Sequence, residues 1–523
     1  MVSTFSTFRK GLPVLTTKRR WYYSILPQVT VGMLLLLIIG AATFLRFYQI
    51  GKLSFWEDEI FTAKVATLSL KDMFQALWPS RINMDLYFVL VHYWVKIFPD
   101  ASEGTLRSIS GIFSVASIPV VFLLGRALGA NRAQAVAIGL IAALLVTVNA
   151  WHIQYGQELR SYSLVFLLAT LSTFLLMKAV EQPSSPIRWV GYAIVSAAAV
   201  HAHLLAVLVL IAQAASLLVL LWGSVRTFPF KETVGSGIAI GVLVAPLVVA
   251  VIMPERVDLI AWIPELTLNR IKNFTIALTG NQGGLLLVLY LLGASIGLGV
   301  GARAWLRGEN LVRKWKFTLM ASCLFLPVAI ALVFSMAMKP IFVNKYLLFV
   351  MPYLAILAAV GIVTLTSFKW ERLAFTPILG TSILLTAVAL SATGVKAYFE
   401  DFQKDDFREV AQFLAKECSE DLRLYHSERS EAKITYYNAD LKSQIPRLKW
   451  RDKLNEKPSA EELADFLPDG YSRACLMLWR GAANPEVRDQ TRVIRSALRT
   501  KFAQVATVDF YGMKVETYAE VNP

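Results

Sequence analysis

The sequence predicts an α-helical polytopic membrane protein with about eleven transmembrane helices and a small C-terminal α/β domain on the extracytoplasmic side. Three observations predict it. Hydrophobic residues fill 56% of the 523 positions and charged residues only 17%, where a soluble domain carries about a quarter charged. Long apolar runs recur as far as about residue 397, after which the composition turns polar. The connections between the runs alternate between basic and non-basic, as membrane insertion imposes.

The first apolar run, 27–46, reads PQVTVGMLLLLIIGAATFL and onward. It is too long for the core of a signal peptide, starts well inside the chain, and is followed by no small-residue cleavage site. Residues 1–26 are therefore expected as a cytoplasmic N-terminal segment. Further runs lie at 109–128, 134–150, 162–179, 188–202, 204–222, 235–253, 284–302, 317–337, 346–367 and 374–395. Only His-Ala-His at 201–203 divides the fifth from the sixth. TTKRR ahead of the first run puts the N-terminus inside. The inside connections are then GRALGANR, KAVEQPSSPIR, GSVRTFPFK, ARAWLRGENLVRKWK and SFKWER, and all are basic. The net charge of +15 thus belongs to loops over an anionic leaflet, with membrane lipid and not nucleic acid as the partner.

Two outside connections are long, 47–108 and 254–283. Within the first, DLYFVLVHYWVKIF (85–98) is too short to span comfortably and is rich in aromatics, so it is expected to lie along the interface. SLKDMFQALWPS (69–80) is a second such helix. An odd number of spans places the tail outside too. There DDFREVAQFLAKE has helical spacing, while RACLMLWR and VDFYGMKVETYA read as strands. The expected division is a transmembrane domain over 27–397 and a soluble α/β domain over 398–523. Cys418 and Cys475 lie in that domain and are able to pair outside the cytoplasm. Cys323 lies in an apolar run, and no metal-ligand spacing of Cys and His occurs.

Polar groups collect on the expected outer side at four places. Glu57, Asp58 and Glu59 are consecutive and tightly bracketed by Phe55, Trp56, Ile60 and Phe61, which is unlike a solvated acidic loop. Gln157, Glu158, Arg160 and Tyr162 crowd the entrance of the fourth span; the plainer reading is an interfacial belt. His201 and His203 are two residues apart, so they share no helix face and suit hydrogen bonding better than metal ligation. Lys345 precedes the tenth span, either as a snorkelling lysine or as a point charge for a phosphate. Ionisable groups at membrane depth are costly and usually functional. A carboxylate base beside a phosphate-binding cation suits group transfer from a lipid phosphate. The spacing leaves open which of the three acids is the base.

Four stretches resemble the polyprenyl-phosphate-sugar-dependent membrane glycosyltransferases of the GT-C fold, in particular the glycosyltransferase family 39-like group of protein O-mannosyltransferases and lipid A aminoarabinose transferases. LSFWEDEIFTA is similar to that family's Asp-Glu motif, and NMDLYFVLVHYW with the following LRSISGIFSVASIPVVFLLGRALG to its juxtamembrane helix and next span. YGQELRSYSL is similar to its Gln-Glu-Ala-Arg-x-Tyr run, with Leu159 in the Ala place, and VNKYLLFVMP to a late segment that often carries Arg-Tyr. The resemblance implies that Asp58 is the catalytic base and that Glu59 supports it. It implies that Lys345 stands where Arg is frequent and binds the donor phosphate, with Arg160 and Arg81 as further cations. Arg81 substitutes for relatives' residues near position 85, which is Asp here. Glu158, Gln157 and Tyr162 of that run are expected substrate contacts, as are His201 and His203 from their hydrogen-bonding capacity. The implied reaction is one inverting displacement of a sugar from a polyprenyl phosphate to a hydroxyl on a lipid, protein or polysaccharide, in a bacterial inner membrane. No cofactor or metal is required by the resemblance, although some members carry a divalent ion. A transporter would show internal repeats and midspan charges, and neither is evident; a non-catalytic partner in lipid-linked glycan assembly would have lost the acids.

Overall fold

The computed structural model describes residues 17–78, 82–100, 102–223, 228–252, 263–367, 375–426, 428–445, 452–479 and 485–520. Arg81, residues 1–16 and part of the long 254–283 connection lie outside the described residues.

The membrane portion is a bundle of apolar helices, and each expected span coincides with one. Among the described residues nine helices are long and apolar enough to cross a membrane. A pair, Arg132–Thr147 and Ala150–Gly156, bent by 65° at its break, is apolar enough for one broken span or a re-entrant loop. The helix at the remaining expected span, Pro186–Ala202, has 17 residues, at the short end of the spanning range. The helix Met351–Ser367 runs through the middle of the bundle and is buried almost throughout. It packs closely because small residues let backbones approach: a Cβ on Gly361 would overlap the Gly293 carbonyl of helix Gly284–Leu306.

The two surface helices of the first loop are present as Leu70–Leu77 and Asp85–Ile97. The longer has 13 residues, about 20 Å at helical rise against an apolar layer of about 30 Å, so it cannot span. The bend after Thr147 has its own physical cause. It leaves helix-end carbonyls without partners, and buried Arg46 from the first span supplies them, donating to Thr147 O at 2.6 Å and Val146 O at 3.1 Å. The same guanidinium reaches Ser114 Oγ at 3.1 Å and His152 Nδ1 at 2.8 Å. The short helix Ala150–Gly156, and hence the segment after it, is thereby pinned to the first span.

The C-terminal domain carries strands β1 (Leu422–Tyr425), β2 (Arg473–Trp479), β3 (Phe502–Phe510) and β4 (Met513–Glu520). Their order is β1-β2-β4-β3, with β1 parallel to β2 and the other pairs antiparallel. VDFYGMKVETYA proves to be a hairpin and not one strand: Gly512 at φ 74° makes the turn, because that conformation carries no penalty without a Cβ. The DDFREVAQFLAKE segment forms the helix Phe407–Glu417. Cys418 and Cys475 form a disulfide that joins the end of this helix to β2 across 57 residues of chain, as an oxidising compartment permits. Replacing both with Ser is expected to lower the domain's stability by about 4 kcal/mol, the chain-entropy estimate for a loop of that length. Calorimetry of the full chain with and without reductant measures it, and an unchanged transition would contradict the expectation.

Candidate functional site

The three consecutive acids open the helix Glu57–Ala66. Carboxylates are favourable in a first turn because the helix dipole is positive there. Successive residues are about 100° apart around a helix, so the three side chains must find three different surroundings, and they do.

Glu57 points to the C-terminal domain, where Lys433 Nζ stands 3.3 Å away. Glu59 points into the core and is fully buried. Arg107 grips it with two bonds, Nε to Oε1 at 2.7 Å and Nη2 to Oε2 at 2.8 Å. The Leu159 amide donates to Oε1 at 2.8 Å, Lys404 Nζ to Oε2 at 3.0 Å, and the Trp56 amide to Oε2 at 3.3 Å. Burial by itself would push the Glu59 carboxyl up, but the Arg107 and Lys404 charges and these donors hold it down at about 2. Arg107 spends its remaining N–H groups on the carbonyls of Ile50, Leu53 and Ser54. A charge pair this deep survives only when its donors and acceptors are matched in this way.

Asp58 faces the bundle and stays 24% exposed. Arg160 Nη2 lies 3.7 Å and Lys345 Nζ 3.8 Å from Oδ2, beyond the length of a charge-assisted hydrogen bond. Arg160 sits in the irregular segment between helices Ala150–Gly156 and Tyr162–Glu181, and its Nη1 also donates to Thr62 Oγ1 at 3.3 Å. Lys345 begins the turn ahead of the buried helix Met351–Ser367. Its ammonium lies 4.3 Å from the Trp56 ring and 5.6 Å from the Tyr162 ring, an aromatic setting that attracts a cation. Tyr346 stacks on Tyr162 at 6.2 Å, and His203 lies 4.8 Å from Tyr346. Asp58, Arg160, Lys345, Tyr162 and His203 are thus brought to one place.

Other expected residues are braces in this arrangement. Gln157 spends its amide on the carbonyls of Tyr48 and Arg46 at 2.8 and 3.1 Å and accepts from the Tyr398 hydroxyl at 2.8 Å. His201 bonds Asp85 Oδ2 at 2.7 Å and Leu243 O at 3.1 Å, so both ring nitrogens are engaged. His203 turns the other way: the chain leaves the helix there in extended conformation, and Nδ1 accepts the Leu205 amide at 3.2 Å. Glu158 is buried and meets Lys404 at 3.6 Å.

Sequence reasoning passed over Arg107, Lys404 and Lys433. Arg107 carries a usable signal, a charge inside what is now the helix Glu103–Arg126, since an ionisable group within a span is rarely idle. Lys404 and Lys433 look like surface lysines in a polar tail, and only folding brings them to the acids. The described His, Cys, Asp and Glu residues close enough to share a metal are Cys418, Asp421 and Cys475, and the two cysteines are already a disulfide.

No family model and no curated protein sequence matches the chain. Solved structures do match. ArnT from Cupriavidus metallidurans in the apo state superposes with a TM-score of 0.55 at 13% identity, over 92% of this chain and 97% of that one. The oligosaccharyltransferase AglB from Archaeoglobus fulgidus, with an inhibitory peptide and a dolichol-phosphate, gives 0.53 at 11% identity, over 95% of this chain and 74% of that one. The shared feature at such identities is the fold. This chain has the GT-C fold of membrane glycosyltransferases, with multiple spans and a small C-terminal sheet domain.

Proposed function

We propose that this protein is a membrane glycosyltransferase that moves a sugar from a polyprenyl-phosphate donor to a hydroxyl acceptor, with Asp58 as general base. The observation that carries the reading is the sorting of the three acids. Glu57 and Glu59 are committed to partners in the C-terminal domain and the core, while Asp58 stays partly exposed beside two cations. The similar structures support the donor class, since one is ArnT bound to undecaprenyl phosphate and another is AglB with a dolichol-phosphate.

In this reading the donor phosphate takes the place of Asp58 as the partner of Lys345 and Arg160. The cations are drawn toward the phosphate, and the carboxylate they release becomes a stronger base. The acceptor hydroxyl gives its proton to Asp58 Oδ, and its oxygen forms a bond to the anomeric carbon. The bond from that carbon to the phosphate oxygen breaks, and the lipid phosphate leaves with the electron pair. Its growing charge is met by Lys345 and Arg160, positioned in advance. The transition state is oxocarbenium-like, and a single displacement inverts the anomeric centre. Glu59 supports Asp58 by fixing its helix. Tyr162 and His203, beside Lys345 and Tyr346, are substrate contacts in this reading, and Glu158 acts from behind them through Lys404. Arg81 is a third candidate cation, outside the described residues. One similar structure was solved with Zn and sulfate, so the fold accommodates a divalent cation. Beside Asp58 in this chain Arg160 and Lys345 already supply the positive charge, and the reaction as written requires no cofactor. The acceptor, a lipid, protein or polysaccharide hydroxyl, would be met on the extracytoplasmic face of a bacterial inner membrane, where the soluble domain also lies.

The test uses purified protein in nanodiscs with a panel of radiolabelled polyprenyl-phosphate sugars. Release or transfer of sugar is expected, and failure to bind any of them would overturn the reading. Lys345→Met is expected to weaken donor binding by about tenfold or more, the loss of one charge-assisted contact. A variant binding as tightly as wild type would remove Lys345 from the phosphate site.

A further inference from the structure

Both acids that flank Asp58 meet a lysine from the C-terminal side of the molecule, Glu57 Lys433 and Glu59 Lys404. Lys404 lies in the short segment between helices Phe375–Asp401 and Phe407–Glu417. Its side chain is 9% exposed and touches two buried carboxylates, Glu59 Oε2 at 3.0 Å and Glu158 Oε1 at 3.6 Å. One of these follows Asp58 directly in sequence. The other lies two residues before Arg160. The Lys404 ammonium therefore joins the segment that carries the base to the segment that carries its cation, beside the Leu159 amide–Glu59 and Arg160–Thr62 bonds.

The rest of the linker and domain holds the same flank. Ser54 Oγ donates to Asp405 O at 2.6 Å, and the Phe55 amide to the Tyr437 hydroxyl at 2.7 Å. Arg408 donates to Gly51 O and Lys52 O and pairs with Glu103 at 3.0 Å. Glu59 would still have Arg107 without Lys404. Glu158 would not be served: its Oε2 is buried with no hydrogen-bond partner among the described residues, and among those residues its ion pair is the one with Lys404. Two buried carboxylates within reach of one ammonium repel each other once it is gone, which loads the Leu159 amide–Glu59 and Arg160–Thr62 bonds that also join the two segments.

We propose that Lys404 is a positioning residue of the transfer site: by bridging Glu59 and Glu158 it sets the spacing of Asp58 and Arg160, and it makes the seating of the C-terminal domain a condition of activity. The catalytic consequence rests on the transferase reading above; the geometric one does not.

The full-length protein in nanodiscs is compared as wild type, Lys404→Met and Lys404→Arg. With a radiolabelled polyprenyl-phosphate sugar, Lys404→Met is expected to lower kcat by about tenfold to a hundredfold, the cost of a displacement of about 1 Å. The donor KM is expected to stay within about twofold, because Lys345 and Arg160 remain. Lys404→Arg restores the charge and is expected to recover most of kcat. Amide exchange over 53–66 and 157–161 is expected to rise about tenfold in the Met variant and not in the Arg variant. Wild-type exchange in both segments of Lys404→Met overturns the proposal whatever the activity, and so does an unchanged kcat. A wild type silent on every donor counts against the transferase reading, and amide exchange alone then decides the role of Lys404.

Discussion

Asp58→Asn is expected to cut sugar transfer by more than about a hundredfold while leaving the protein folded and able to bind its donor. General-base assistance is worth about 10²–10⁴-fold, and the amide keeps the shape of the carboxylate but takes no proton at working pH. The side chain is partly exposed and held by charge at 3.7 and 3.8 Å, so little stability depends on it. Donor binding is expected to hold or strengthen, because Lys345 and Arg160 lose the carboxylate that competes with the phosphate. Turnover of a radiolabelled donor, measured beside equilibrium binding of the same lipid, separates the two effects. Transfer within tenfold of wild type would show that another group takes the proton.

Glu59→Gln is expected to act in the opposite way, on the fold before the chemistry. The amide leaves Arg107 buried without the negative charge that compensates it and Lys404 with Glu158 alone. Breaking a buried pair from one side costs about 3–5 kcal/mol. Arg107→Met removes the other side and is expected to cost a similar amount. The double variant should lose less than the two single losses together, because the partners form one network. Thermal unfolding in detergent followed by fluorescence measures all three. The pH dependence has a definite sign. The folded Glu59 carboxyl titrates near 2 against an ordinary value of 4.5. Its contribution is therefore complete above about pH 4.5 and is lost as pH falls toward 2. Glu59→Gln should flatten the acid limb of the stability curve over that window. A wild-type and a Gln variant that unfold alike between pH 4.5 and 2 would contradict the assignment.

Much of the architecture was legible because the membrane restricts what a chain can do. Every backbone polar group must be satisfied within the bilayer, so a run of apolar residues reads as a helix with little ambiguity, and all the expected spans are helices. The short segment Asp85–Ile97 was separable from a true span by its length and its aromatics. The soluble domain was harder. In VDFYGMKVETYA the alternation continues across the turn, so the sequence pattern hides the two-residue break at Gly512. Strand β1, Leu422–Tyr425, is too short to show a period of its own.

The sequence by itself determined the fold class, the cluster of three acids, and the cations at positions 160 and 345 that meet them. Each is a local fact: a run of apolar side chains, a charge next to a charge, a donor-rich helix entrance. The tertiary structure decided which surroundings each acid meets. Glu57, Asp58 and Glu59 are nearly equivalent as residues, and the turn of the helix sends them to three surroundings, a domain surface, a partly exposed place beside two cations and a closed core. The partners that finish the sorting, Arg107, Lys404 and Lys433, come from 48, 345 and more than 370 residues away. A charge at such a distance leaves no local mark, because its meaning is set by the low-dielectric place where folding puts it.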